Sequence, residues 1–201
     1  MIAIVDYGLG NVRAIGNIYK RLDIPVRLAT TADELRSADK VVLPGVGAFD
    51  WAMSRLNASG MRSCLDELVM HDRRPVLGIC VGMQMMGRGS DEGALEGLGW
   101  IDGMVKKLDG GSPRAQLPHM GWNDVAPCEG DGLFKGLEGP RFYFLHSYYF
   151  VPGADAVVLA TTDYGREFAS SVRSGNTRGV QFHPEKSHTW GVQLLTNFAE
   201  L

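Results

Sequence analysis

Pro75-Val-Leu-Gly-Ile-Cys-Val-Gly-Met-Gln84 is the stretch from which the architecture can be read. An apolar run, Val76 to Ile79, ends at Cys80, with Gly78 two residues before it and Gly82 two after. Met83-Gln84-Met85-Met86 then reads as the first turn of a helix. Gly-x-Cys-x-Gly between strand and helix is the cysteine form of a nucleophile elbow, a tight turn that exposes its central side chain. Such a turn strains the backbone, and flanking glycines relieve crowding where a larger side chain would clash. A thiol placed there sits at a helix N-terminus, whose partial positive charge favours the reactive thiolate. In isolation the same residues also fit a buried strand ending in a core cysteine.

Toward the N-terminus, Ile2–Val5 is a short apolar run, the kind buried on both faces of a parallel sheet, and Val26–Ala29 and Lys40–Leu43 read as the next two strands. Asp6-Tyr-Gly-Leu-Gly-Asn11 is a glycine-rich turn, and Asn11 is the expected N-cap of a helix carrying Val12, Ile15, Tyr19 and Leu22 on one face. Gly8-x-Gly10 does not complete a dinucleotide fingerprint, because Arg13 holds the third small-residue position. A short helix is expected near Asp33 to Ala38. The third strand ends in Pro44-Gly-Val-Gly-Ala-Phe49, a loop of small residues rich in backbone N–H groups. Such a loop can bind an anion or stabilise a developing oxyanion, or be a plain turn. Helical stretches follow, with Leu56, Met61, Leu65, Leu68 and Val69 as core candidates and Cys64 as packing. Repetition of strand, turn and helix predicts a parallel sheet covered by helices, with ligands at the carboxyl ends of the strands. Cys80 and the Pro44–Gly47 loop then share one rim.

Downstream, Ser90–Gly99 is an acidic, glycine-rich connection and Trp100–Leu108 shows strand-like alternation. Asp109–Pro113 reads as a turn, and Arg141–Val151 as one long aromatic strand. Val157–Thr161 and Phe168–Arg173 are further strands, and Ser174-Gly-Asn-Thr177 is a hairpin turn returning through Gly179–Phe182. His188–Leu201 reads as an amphipathic helix with Val192, Leu195 and Phe198 inward. The expectation is a single α/β domain over residues 1–201, three-layer αβα, around a central mostly parallel mixed sheet.

Composition narrows the function classes. With 45% hydrophobic and 21% charged residues, the 201-residue chain is ordinary for a soluble globular protein. A net charge of −3 argues for neither nucleic acid nor an anionic membrane as partner. No apolar run approaches the roughly 20 residues of a membrane span, and Met1–Asp6 lacks the basic region of a signal peptide. Cys64, Cys80 and Cys128 cannot all pair and show no metal-knuckle spacing, so a cytoplasmic protein without metal or cofactor is expected.

His183 and Glu185, separated by Pro184 at a strand's end, are expected to point to one face. A histidine near a thiol can take its proton and later give it to a leaving amine, and a carboxylate behind it fixes the tautomer. Gly78-Ile-Cys-Val-Gly-Met-Gln84 together with His183-Pro-Glu185 resembles the class I (triad) glutamine amidotransferases. More narrowly, Asp6–Asn11, Pro44–Phe49, Pro118-His-Met-Gly-Trp-Asn123, Leu145–Tyr148 and Gln181–Ser187 resemble the glutaminase subunits of imidazole glycerol phosphate synthases. The resemblance implies L-glutamine as substrate, Cys80, His183 and Glu185 as catalytic triad, and Val81 with Gly45, Val46 and Gly47 as oxyanion hole. It further implies that Gln84, Ser147 and Tyr148 bind substrate, with His146 in a positioning role rather than as a second base. The implied partner is a (β/α)₈-barrel cyclase subunit in a heterodimer, with Trp122, Asn123 and Lys186 as interface candidates and histidine biosynthesis as the pathway. Alternatives are the glutaminase of another ammonia-channelling synthase, a γ-glutamyl thiol hydrolase, or a non-enzymatic interaction module.

Overall fold

Apolar runs that cannot face water become the centre of the sheet. The computed structural model describes residues 1–109 and 116–201, so the turn expected at Asp109–Pro113 lies, beyond Asp109, outside the described residues. Its strands are β1 (Ile2–Val5), β2 (Val26–Ala29), β3 (Lys40–Gly45), β4 (Val76–Cys80), β5 (Gly103–Lys107), β6 (His119–Asp124), β7 (Ala126–Pro127), β8 (Arg141–His146), β9 (Tyr148–Pro152), β10 (Val157–Asp163), β11 (Glu167–Ser174) and β12 (Thr177–Val180). The α-helices are α1 (Val12–Arg21), α2 (Ala32–Arg36), α3 (Phe49–Ala58), α4 (Arg62–Asp66), α5 (Val81–Met85) and α6 (His188–Glu200).

The main sheet runs β2-β1-β3-β4-β12-β11-β10-β7. From β2 to β12 every pairing is parallel, and β11, β10 and β7 extend it antiparallel. β1 and β4 are buried along their whole length, as strands covered on both faces must be. Helix α1 packs against α6, and α2 against α4. This is the mostly parallel mixed α/β sheet expected, and the Ser174–Thr177 hairpin joins β11 to β12 as the turn residues predict.

Several local expectations change. Arg141–Val151 is two strands in different sheets, β8 pairing with β6 and β9 with β5. Burial alternates through Phe142, Phe144 and His146 and then loses phase at Ser147, whose carbonyl accepts from Leu108 N at 2.9 Å. An unbroken aromatic run hides such a change of phase. Trp100 precedes β5 and is anchored by an indole N–H donated to Asp66 Oδ1 at 2.8 Å. Asn11 stands at the start of α1 without a side-chain cap bond, and Leu22 lies exposed at its end while Ile18 takes the inward place. In α6 it is Leu194, with Leu195 and Phe198, that is buried, and Val192 only partly.

Candidate active site

Cys80 ends β4 with φ 55° and ψ −114°. A positive φ on a residue bearing a Cβ costs on the order of 1–3 kcal/mol and persists only where surrounding packing demands it. Three glycines create that demand. A Cβ on Gly82 would lie 1.9 Å from the Leu43 carbonyl oxygen, one on Gly45 2.4 Å from Gly82 N, and one on Gly78 2.8 Å from Met83 Cα. The end of β3 and the first turn of α5 therefore touch backbone to backbone. Gly45, expected as an oxyanion donor, is the residue of β3 paired with Cys80 and is buried there. Val46, Gly47 and Val81 face the cavity above the sulfur instead.

His183 stands just past the end of β12, still extended and bridged to Tyr143 of β8, as a strand's end predicts, whereas Glu185 has left the strand. β12 stops at Val180, and a 3₁₀ turn spans Pro184–Lys186, since proline cannot donate to a strand ladder. His183 N donates to Tyr143 O at 2.9 Å, and the Ser187 hydroxyl donates to His183 O at 2.6 Å, fixing the turn. Within it His183 Nδ1 lies 3.0 Å from Glu185 Oε1, with both side chains almost fully buried. A carboxylate can only accept here, so Nδ1 carries the proton and Nε2 is left for the sulfur. Burial opposes the imidazolium, but contact with Cys80 and the bond to Glu185 outweigh it and raise His183 to about 10. At neutral pH the histidine holds a proton ready to give. The directed contacts of the Cys80 sulfur are the Leu145 carbonyl oxygen and Gln181 Nε2, each at 3.8 Å.

Above the thiol lies a cavity of about 340 Å³. Gln84, His146, Ser147 and Tyr148 all line it, as does Lys186. So does Glu92, which no sequence pattern singled out. Its Oε2 accepts from Phe49 N at 2.9 Å, while Asp50 accepts from Ala94 N and Leu95 N at 2.9 and 3.0 Å. The acidic connection is thus a clamp on the glycine loop and the start of α3. Of the interface candidates, Trp122 is 39% exposed and stacks on His188 with ring centroids 5.2 Å apart. Lys186 Nζ lies 5.5 Å over the Tyr143 ring. Asn123 turns inward, donating to Asp163 O at 2.8 Å. Met120, within the same Pro118–Asn123 motif but not expected at an interface, is exposed at 64%, two residues from Trp122 along β6.

His146 is not a free base. Its Nδ1 lies 2.8 Å from Tyr148 O, an obligate acceptor, so the proton is on Nδ1 and Nε2 accepts from His119 Nδ1 at 2.9 Å. His119 Nε2 then accepts from Asn123 Nδ2 at 3.2 Å. Burial pushes His119 down to about 4. Burial, and then repulsion from His119, push His146 down to about 3. Both rings are neutral at pH 7, with every nitrogen engaged.

These shifts set a pH dependence of stability. An unfolded histidine titrates near about 6.5, so as pH falls from there toward about 4 and about 3 the unfolded chain binds protons that folded His119 and His146 refuse. Stability is lost on that acid side. Denaturant midpoints should fall as pH drops from about 6.5 toward about 4. A midpoint unchanged over that range would contradict neutral, buried His119 and His146.

Residues 3–200 match the family described as glutamine amidotransferase class-I. The imidazole glycerol phosphate synthase subunit HisH of Bdellovibrio bacteriovorus is 58% identical over 204 aligned residues, covering 100% of both chains. That of Leptospira interrogans is 48% identical, again covering 100% of both. Among solved structures, a GMP synthase subunit from Thermoplasma acidophilum matches with a TM-score of 0.76 at 20% identity, over 99% of this chain and 92% of the other. A second, a glutamine amidotransferase, matches at 0.76 and 18% identity over 100% and 99%. At those identities the structures speak for the fold alone.

Proposed function

The chain belongs to the class-I glutamine amidotransferases, among the HisH subunits of imidazole glycerol phosphate synthase, and we propose that it releases ammonia from L-glutamine through Cys80, His183 and Glu185 for a cyclase subunit of histidine biosynthesis. The observation that carries the reading is a buried His183, bonded through Nδ1 to Glu185, that lines one cavity together with Cys80.

Sγ of Cys80 attacks the side-chain amide carbon, and the carbonyl π electrons move onto oxygen. Backbone N–H groups of Val81 and of the Val46–Gly47 turn stabilise that oxyanion. His183 gives its proton to the amide nitrogen as the C–N bond breaks, releasing ammonia and leaving a γ-glutamyl thioester. Neutral His183 then takes a proton from water, whose oxygen attacks the thioester. Glutamate leaves and the thiolate–imidazolium pair returns. Glu185 keeps the proton on Nδ1 throughout. Gln84, Ser147 and Tyr148 bracket the amino-acid end, and Glu92, with one oxygen on Phe49 N, offers the other to its ammonium.

The inferred partner is a (β/α)₈-barrel cyclase in a heterodimer, seated on the cavity mouth. Val46 and Leu145 line the cavity and stay exposed, and β6 presents Met120 and Trp122 by its two-residue period. Trp122 and Lys186 remain the anchors expected from the sequence, Met120 joins them, and Asn123 acts from the inside.

Ammonia and glutamate release should be measured for the chain alone and with the cyclase subunit carrying its nucleotide ligand. If docking seats one oxyanion donor, turnover should rise roughly 10²–10³-fold, the value of one such donor. High turnover in the isolated chain, indifferent to the partner, would overturn the reading.

A further inference from the structure

One backbone carbonyl sets the direction of a buried hydrogen-bond chain that ends on the nucleophile. Tyr148 O can only accept, and it receives Gln84 Nε2 at 2.9 Å as well as His146 Nδ1 at 2.8 Å. The amide of Gln84 is thereby oriented. The same Nε2 lies 3.0 Å from the Gln181 side chain, so the atom it meets there must be an acceptor, Oε1. That leaves Nε2 of Gln181 pointing at Cys80 Sγ, 3.8 Å away. Reversing the Gln181 amide would set two donors against each other at Gln84 and aim an oxygen at the sulfur. Neither change is tolerable in a site where Gln181 is fully buried.

Gln181 follows β12, its backbone N–H held by Ser170 O at 2.9 Å. An apolar side chain would fill its volume without the cost of burying an amide. Besides the acceptor for Gln84, glutamine adds a donor on the sulfur, and a donor bonded to a charged atom is worth more than one bonded to a neutral atom. We propose that Gln181 is a further positioning residue of the site, holding Cys80 Sγ as the thiolate through its Nε2–H, with its orientation locked by Gln84 and Tyr148 O. The inference rests on Cys80 being the nucleophile of the proposed reaction. The other polar groups around the sulfur are His183, Leu145 O and Tyr7. The Tyr7 hydroxyl is spent on Pro44 O at 2.8 Å, so Gln181 is the neutral side-chain donor committed to Sγ.

Alkylation by iodoacetamide, followed by mass spectrometry of the Cys80 peptide across pH, reads thiolate without any glutamine. Cys128, exposed in the same chain, is the internal reference. Gln181→Met should slow Cys80 alkylation at pH ~7 roughly tenfold, the scale of one hydrogen bond to a charged group. Gln181→Glu should slow it more, and Gln84→Met, which frees the Gln181 amide to turn, should fall between wild type and Gln181→Met. All rates should converge at high pH, where the thiol ionises unaided, with Cys128 unchanged throughout. Profiles of both Gln181 variants that coincide with wild type overturn the proposal. So does a slowing equal at every pH, which reports access rather than ionisation. A shifted profile in a chain that, with its partner, releases no ammonia would overturn the glutaminase reading and leave the Gln181 role standing.

Discussion

Cys80→Ala is expected to lower glutamine hydrolysis by about 10⁴-fold or more, measured as glutamate release in the presence of the partner. The size follows from the chemistry, since no other group in the cavity can form the thioester that splits the reaction into two steps. His146 cannot substitute as a base for water, because both its ring nitrogens are committed. Cysteine count gives the complementary test. A glutamine analogue bearing an electrophilic diazoketone should label the Cys80 peptide alone. Cys64 is buried against Ala32 O at 3.4 Å, with its thiol pushed up by burial. Cys128 is exposed, on a segment away from the cavity. Label on either of those, with Cys80 untouched, would remove the catalytic assignment.

Gly82→Ala is expected to be among the most damaging single-methyl changes in the chain. The added Cβ would sit 1.9 Å from Leu43 O and 2.9 Å from Leu43 C, both backbone atoms of the central strand β3. No rotamer relieves such a contact, so β3 and α5 must separate. Overpacking of this kind costs on the order of 3 kcal/mol, which for a chain of this length lowers Tm by roughly 6–12 °C. Glutaminase activity should fall with it, because Val81 N and the Val46–Gly47 turn are carried by the two elements that move. Gly16→Ala is the control. Its Cβ would meet only Leu28 Cδ2 at 3.5 Å and Ile4 Cδ1 at 3.7 Å, ordinary contact inside α1. Reduced freedom of the unfolded chain should then stabilise by about 0.5–1 kcal/mol. Equal Tm values for the two variants would refute the close-packing account of the elbow.

The parts of this molecule legible from residues alone are those in which cause and effect are near neighbours in the chain. Val76–Ile79 followed by Gly-x-Cys-x-Gly specifies a buried strand and a strained turn, because backbone crowding and apolar burial act over a few bonds. Repeated strand–turn–helix units specify a parallel sheet with its ligand rim, and with them the shared location of Cys80 and the Val46–Gly47 turn. Legibility fails where a run carries no period. Arg141–Val151 is apolar and aromatic throughout, and its division at Ser147 depends on which partner strand each half meets.

Roles inside the site depended still more on tertiary structure. Residue types alone could pick out Cys80, His183 and Glu185 as candidates, since a base and a carboxylate together can activate a thiol. They could not reveal that Pro184 forces a 3₁₀ turn, that Glu92 crosses to hold the start of α3, or that Asn123 faces inward while Met120 faces out. Nor could they show that Gln181 meets Cys80 across a separation of 101 residues. A hydrogen bond has a direction, and here it is set by Tyr148 O, a backbone acceptor identical in every residue type. Which side chains meet that oxygen is decided only when distant segments pack. The candidate groups could therefore be read from the residues, and the direction of each hydrogen bond waited on the fold.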